Sequence, residues 1–370
     1  MRKISRYVAR TVFAAISLVL IVVLSLDLIG SFIDEMGDLR GNYTVLEALL
    51  YISLTLPGRL YEYLPYACLI GCLVGLGLLA SSSELVVMRA AGVSVKRITW
   101  LVLKPVLAFI VLGLVLGEFV TPYTDQVAES RRAVAMGGQR ALHTERGFWH
   151  REGNSYMYFN AIQPNGILHG VTRYEFDDQQ RLTEASYAEQ VTYQSDYWQE
   201  EDVAVTRFVR DENGEAPDRT SENIEGIEGT ETAEYALRRW NTDLTPALLN
   251  IIALQPEALS IRNLAFYSNY LSEQRLESSE YRLAFWEKAL QPLATISLVL
   301  VAISFIFGPL REVTMGQRIF TGVVFGIAFR LTQSLLGPSS LVFGFPPLVA
   351  VLIPIAACTL FGFYLLSRTR

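Results

Sequence analysis

Cysteine and histidine are nearly missing from this chain: three of each in 370 residues. Cys68, Cys72 and Cys358 all lie inside apolar runs, so a disulfide framework and a zinc-binding spacing are both excluded. Cys68 and Cys72 fall on one helix face as small packing residues. No GxxxxGK[ST] loop cradles a nucleotide phosphate, no HExxH pair holds a zinc ion, and no Gly-x-Ser-x-Gly elbow presents a nucleophile. His143, His150 and His169 are scattered over one polar region and read as surface or strand positions. The sequence therefore describes a protein that catalyses nothing by itself, with no metal or other cofactor of its own and no nucleic-acid site.

Charge is also scarce, at 18% of residues, against 51% hydrophobic. That balance is too apolar for a water-soluble protein of this length. The charge is unevenly placed. Residues 125–275 carry 25 acidic residues, 14 arginines and no lysine, while the other 12 acids and 17 bases lie in or beside apolar segments. An acidic module is inserted into a membrane module.

About 20 apolar residues are needed to cross a bilayer as a helix. Six segments qualify: Thr11–Ile33, Tyr63–Ala80, Trp100–Val120, Ala289–Phe307, Ile319–Leu336 and Pro347–Leu366. The first exceeds a signal-peptide core and lacks a small-x-small cleavage site after it, so it is expected to be retained. Basic residues cluster before span one (Arg2, Lys3, Arg6, Arg10), between spans two and three (Arg89, Lys96, Arg97), between four and five (Arg311, Arg318) and at the end (Arg368, Arg370). Six spans place all four clusters on one side, the cytoplasmic side by the positive-inside rule. Both termini are then cytoplasmic, and the acidic insert lies across the membrane.

Within the insert the apolar period shortens to two. GFWHRE and SYMYFNAI flank Gly153-Asn154, and GILHGVTRYEF and RLTEASYAEQVTYQ flank residues 177–180, as in antiparallel hairpins. Consecutive hairpins without helices predict a sandwich or jelly roll. The acidic run DENGEAPDRTSENIEGIEGTET is expected to be a mobile loop. Thr245-Pro246 and Ser260 signal helix starts, so residues 237–274 are expected to return the chain to the membrane as helices. The predicted organisation is 1–124 for spans one to three, 125–275 for the all-β insert with its helical return, and 276–370 for spans four to six.

The segment SSSELVVMRAAGVSVKRIT, residues 81–99, is short, charged and helix-prone. A helix near 82–92 would start at Ser82 or Ser83, carry Glu84 in its first turn, group Leu85 and Met88 with Val86 and Val87 as an apolar patch, and stop at Gly92. Physical chemistry alone leaves it as either an interfacial linker or a handle for a cytoplasmic partner. Within the spans, Asp27 and Arg330 are costly charges that face a cavity, a substrate phosphate, a partner subunit or, by snorkelling, the interface. Gly71-x-x-x-Gly75, Gly113-x-x-x-Gly117 and Gly322-x-x-x-Gly326 permit close helix approach, which in span five suits sliding against a partner. Pro292 is expected to kink span four.

SELVVMRAAGVS, the preceding LIGCLVGLGLLA, the FIFGPLREVTMGQR loop and the TGVVFG…GPSSLVFGFPP end resemble the lipopolysaccharide-export permeases LptF/LptG (YjgP/YjgQ), nearer to the LptG branch. The resemblance covers nearly the whole chain, including its order of three spans, β insert and three spans. It implies a permease subunit of an ABC transporter, paired with an LptF-type subunit and seated on a dimer of the ATPase LptB, where ATP and Mg bind. LptC joins the complex. It would extract lipopolysaccharide from the outer leaflet of the inner membrane of a Gram-negative bacterium and pass it to the periplasmic LptA bridge. Residues 82–92 would be the coupling helix, with Glu84 matching the family's coupling glutamate and Leu85, Met88 and Arg89 beside it. Spans one and five would line lateral gates, offering Leu26, Ile29, Phe32 and Ile33, and Phe325, Phe329 and Leu336, with Arg330 as a further lipopolysaccharide contact. The family's lysines near the outer end of span one are replaced by Asp34, Glu35 and Asp38, which leaves Arg40, Arg131 and Arg132 as basic candidates for a lipid phosphate. Arg132 matches a family arginine just after span three. A membrane-anchored periplasmic scaffold is the alternative, and co-purification with an ATPase separates the two. A relay subunit of the four-span kind is disfavoured by six spans.

Overall fold

The computed structural model describes residues 2–39, 42–136, 148–162, 167–194, 196–208, 230–242, 244–246, 248–249, 255–273, 277–308 and 313–368. Helices α1 (Arg2–Gly37), α2 (Val45–Ser81), α3 (Glu84–Ala90) and α4 (Val95–Val115) are followed by a π-helical turn (Leu116–Val120) and α5 (Thr121–Ala135). Strands β1 (Phe148–Glu152), β2 (Ser155–Ile162), β3 (Ile167–Phe176), β4 (Leu182–Gln194), β5 (Tyr197–Phe208) and β6 (Thr230–Trp240) come next. Helices α6 (Ile261–Glu273), α7 (Ser279–Phe307), α8 (Met315–Phe343) and α9 (Pro347–Arg368) complete the chain. Six of these segments are long and apolar enough to cross a membrane. The chain is a helical membrane protein with a β insert. The stretch between the first two expected spans, residues 34–62, is mostly helical, because α1 runs to Gly37 and α2 begins at Val45.

The chain divides into two compact units: 1–34, 55–124 and 256–370 in one, 35–54 and 125–255 in the other. The first is a helix bundle centred on α2. In a bilayer, helices associate through close packing and polar links, since lipid tails are as apolar as leucine. All three glycine pairs serve that packing, and all three act at α2. A Cβ on Gly71 would lie 2.5 Å from the Cα of Ile16 in α1, one on Gly117 2.7 Å from the Tyr61 ring, and one on Gly322 2.6 Å from Leu73. The span-five glycines thus close on the chain's own α2. Polar links fill the gaps left by prolines. Pro65 has no N–H to offer the Tyr61 carbonyl one turn back, and Gln291 Nε2 of α7 donates to that carbonyl instead, at 3.1 Å. Glu118, in the π turn, accepts from the backbone N–H of Ile261 at 2.8 Å and of Arg262 at 3.4 Å. With Ser260 Oγ accepting from Asn263 N at 3.1 Å, it caps α6 where the sequence predicted a start.

The second unit is built on one six-stranded antiparallel sheet in the order β1-β2-β3-β4-β5-β6. Both expected hairpins form, with Gly153 (φ 57) and Gln180 (φ 58) supplying the left-handed turn positions. The connectivity is an up-and-down meander, without the strand crossings of a jelly roll among the described strands. β6 was expected to be part of the loop and helical return. Its Ala, Glu, Leu and Arg content favours helix, and pairing with β5 overrides that preference. The predicted loop falls, over 211–229, outside the described residues.

A transverse crease makes this single sheet two-layered. Asn160, Gly170, Glu189 and Asp202 drop out of the ladders at matching positions, and Gly170 (φ 61) and Asp202 (φ 51) are left-handed. Buried parity switches there: Val203 and Val205 on one side of Asp202, Trp198 and Glu200 on the other. Glu184 pairs across Arg207 with Glu231, and Arg238 lies seven positions further along β6, roughly 23 Å in a flat sheet. Arg238 nonetheless donates to Glu184 at 2.8 Å. The sheet is therefore folded over itself, with Arg173, Glu184, Glu200 and Arg238 clasped inside. Arg207 adds a 3.0 Å bond to Glu184 from the edge of the cluster.

Candidate functional site

α3 sits between the last turn of α2 and the first turn of α4. It exists as a separate rod because both ends are left-handed: Ser83 at φ 62 and Gly92 at φ 83. The expected serine cap is absent. The hydroxyls of Ser81 and Ser82 instead bond back to the Leu78 carbonyl at 2.9 and 3.1 Å, so they finish α2 rather than start α3. The apolar patch predicted for this helix is split between two faces. Leu85 (4% exposed) and Met88 (8%) belong to the bundle core with Val8 and Ile98. Val86 (52%) and Val87 (65%) point away, together with exposed Arg89, Ala90 and Ala91. Leu85 and Met88 thus hold the rod to its own chain, while the outward face is Val86, Val87 and Arg89. Sequence spacing grouped the four because a seven-residue helix offers too few positions to separate its faces.

Glu84 is half-buried at the edge of that face and accepts a hydrogen bond from the Tyr7 hydroxyl of α1 at 3.1 Å. Tyr7 has no motif around it, and only the fold brings it to the rod.

The span residues predicted to meet lipid sort into three groups. Leu26 (67% exposed), Ile29 (60%) and Ile33 (65%) form an outward stripe on α1 that begins at Leu18, while Phe32 is half-buried. On α8, Phe329 is buried and Phe325 packs against Phe305 and Phe361 at 5.7 and 6.3 Å, so both face inward. The outward stripe of α8 is Phe320, Val324, Ile327, Leu331 and Leu335, at helical spacing. Its phase was lost in the sequence because aromatic residues occur on both faces.

The basic candidates among the described residues are already engaged. Arg330 pairs with Glu62 of α2 while remaining half exposed. Asp27 meets a base of its own chain, Arg59 at 2.6 Å, and accepts from the Tyr63 hydroxyl at 2.7 Å; the same arginine also reaches Ser31. Arg132 is buried between Asp38 (2.7 Å) and Glu35 (3.3 Å), with its guanidinium over the Tyr51 ring at 4.9 Å. Tyr43 donates to the same Glu35 at 2.7 Å, and burial followed by that bond raises its hydroxyl pKa. Arg131 pairs with Glu47 at 3.0 Å. Arg40 lies outside the described residues. Glu35 and Asp38 thus neutralise a buried arginine within the second unit.

Six apolar helices, a β insert and a rod held between spans two and three describe a multi-pass helical membrane protein. The family model described as lipopolysaccharide export system permease LptF/LptG matches residues 6–368. Lipopolysaccharide export system permease protein LptG of Escherichia coli (strain K12) is 36% identical over 366 residues, covering 99% of this chain and 98% of that protein. The protein of the same description from Haemophilus influenzae is 32% identical over 370 residues, covering 99% of each. The chain belongs to the LptF/LptG family of lipopolysaccharide export permeases. It is of the LptG type, a non-catalytic transmembrane component of that transport system.

Proposed function

We propose that this chain converts ATPase movement on the cytoplasmic side into extraction of lipopolysaccharide from the outer leaflet of the inner membrane. The lipid passes to a periplasmic LptA bridge. The observation that carries this reading is the two-faced α3, clamped to the bundle by Leu85 and Met88 and offering Val86, Val87 and Arg89 outward. A rod with left-handed joints at both ends and an exposed apolar face suits a groove on an LptB-type ATPase dimer, where ATP and Mg are bound. Glu84 lies at the rim of that face and suits a basic residue of the ATPase. The basic clusters near residues 2–10, 89–97, 311–318 and 368–370 support a cytoplasmic placement of α3 and both termini, with the β insert in the periplasm.

The outward stripes of α1 and α8 are the surfaces for an LptF-type partner and for acyl chains. LptC joins the assembly. Arg330, half exposed beside Glu62, is a base with access to a lipid phosphate. Arg132 serves instead to hold α1, α2 and α5 within its own unit. The test is Glu84→Ala in the assembled transporter. Weaker recovery of the ATPase, or ATP hydrolysis without lipid release, is expected; parental recovery and parental transport together would sink the reading.

A further inference from the structure

α8 presents most of its surface outward, with 17% of its apolar window buried, yet its first turn is held firmly. Thr314 and Gln317 form a reciprocal capping box, the Gln317 side chain accepting from Thr314 N at 3.2 Å and the threonine hydroxyl from Gln317 N at 3.4 Å. One residue on, Arg318 is 3% exposed, although arginine is seldom buried so completely. Its Nη1 donates to the Gly77 carbonyl of α2 at 2.9 Å. Gly77 stands one turn before the end of α2, and α3 follows at Glu84. A Cβ on Gly77 would come within 3.1 Å of Arg318 Cδ, 3.2 Å of its Nη1 and 3.4 Å of Met315 Cε. The absent side chain is what lets the guanidinium reach the helix backbone.

The remaining contact line of α8 on α2 is of a different kind. Gly322 faces Leu73 and Ile70, and Gly326 faces Leu69 and the Tyr66 ring, a close-packed track of mostly apolar side chains. At the far end Arg330 and Glu62 form an exposed pair. Among the described residues, the buried polar hold of α8 on α2 is therefore at the end where α2 turns into α3.

We propose that Arg318 is a positioning residue that couples α3 to α8, transmitting displacement of the α2 end through the Gly77 carbonyl to the outward-facing span. This rests on the reading of α3 as the ATPase-docking rod and adds to it the element that receives the motion. When α3 is pushed, the α2 terminus moves with it, and the charge-assisted bond carries the first turn of α8 along while the Gly322–Gly326 track permits the shift.

The experiment uses the complex purified with its ATPase and partner permease, reconstituted in vesicles containing lipopolysaccharide. Arg318→Met retains the apolar stem and removes every donor. Assembly and ATP hydrolysis are expected to persist while lipid released per ATP falls roughly tenfold, within the usual span of a coupling between sites. A spin label at exposed Phe320 should lose its nucleotide-dependent displacement. Gly77→Ala, which crowds the guanidinium from the other side, should shift the same ratio less. It decides the matter if Arg318→Met does not accumulate. An unchanged ratio of lipid released to ATP hydrolysed, in Arg318→Met or in the deciding Gly77→Ala, overturns the proposal. Val87→Glu separates the two levels. If it leaves ATPase recovery intact, the docking reading fails; if it abolishes recovery while the Arg318 and Gly77 variants transport normally, only the relay fails.

Discussion

α2 and α8 have similar apolar character and opposite surroundings. Of the apolar window of α2, 72% is buried inside the chain, against 17% for α8 and 22% for α1. Hydropathy reports that a helix crosses the bilayer and is silent on what covers it. The difference teaches a division of labour. α2 is a hub with glycine contacts, proline-freed carbonyls and buried polar links on several sides. α1 and α8 each touch the hub along one face and leave a continuous stripe for something outside the chain.

The largest expected effect comes from breaking the hub. Gly71→Val places methyl groups against the Ile16 backbone, which cannot yield as a flexible side chain would. A loss of about 3 kcal/mol or more is expected, read as failure of the protein to accumulate in membranes and as a lowered melting temperature in detergent. The β insert offers a second buried structure to set against the hub, since its interior is held by charge. Burial works to raise the Glu184 pKa, but the Arg238 and Arg207 hydrogen bonds outweigh it and the carboxyl is lowered. Its stabilising contribution is present above the ordinary glutamate range and is lost as pH falls through the depressed folded value. Glu200 is raised by burial, with Arg173 and Arg238 only partly offsetting, so its share has the opposite sign and stability is gained as it protonates. Glu184→Gln should lower protease resistance of the sheet at pH 7 and remove the acid-side loss; Glu200→Gln should remove the gain that precedes it.

The stripes should behave unlike either interior. Ile29→Ala on α1 and Leu331→Ala on α8 are expected to leave stability within about 0.5 kcal/mol. Photo-crosslinkers at the same positions should capture lipopolysaccharide or the partner permease. Stability losses as large as that of Gly71→Val would erase the distinction between hub and stripes. The smallest effect is expected from Tyr7→Phe, which removes one exposed hydrogen bond to Glu84. It should leave assembly intact and slightly lower lipid released per ATP.

Six spans, the β insert and its two hairpins were legible because hydropathy, turn residues and alternation are local signals. The α3 rod was legible in place, although it spans only Glu84–Ala90 of the expected 82–92. Its faces were not, since Leu85 and Val86 differ only in what packs on them. The crease in the sheet was hidden for the same reason: Gly170 hints at it, but the contact between Glu184 and Arg238 exists only once the layers close. Arg132, Arg330 and Asp27 were recognisable as unusual charges. Their partners Glu35, Asp38, Glu62 and Arg59 lie too far away in sequence to be inferred from spacing.

The central claim is that α3 turns Leu85 inward and Val87 toward an ATPase. A photo-reactive residue placed at each position in the whole transporter, in membranes, tests it most directly. The account predicts an adduct with the ATPase from position 87 and none from position 85. An ATPase adduct from 85 with none from 87 would contradict it.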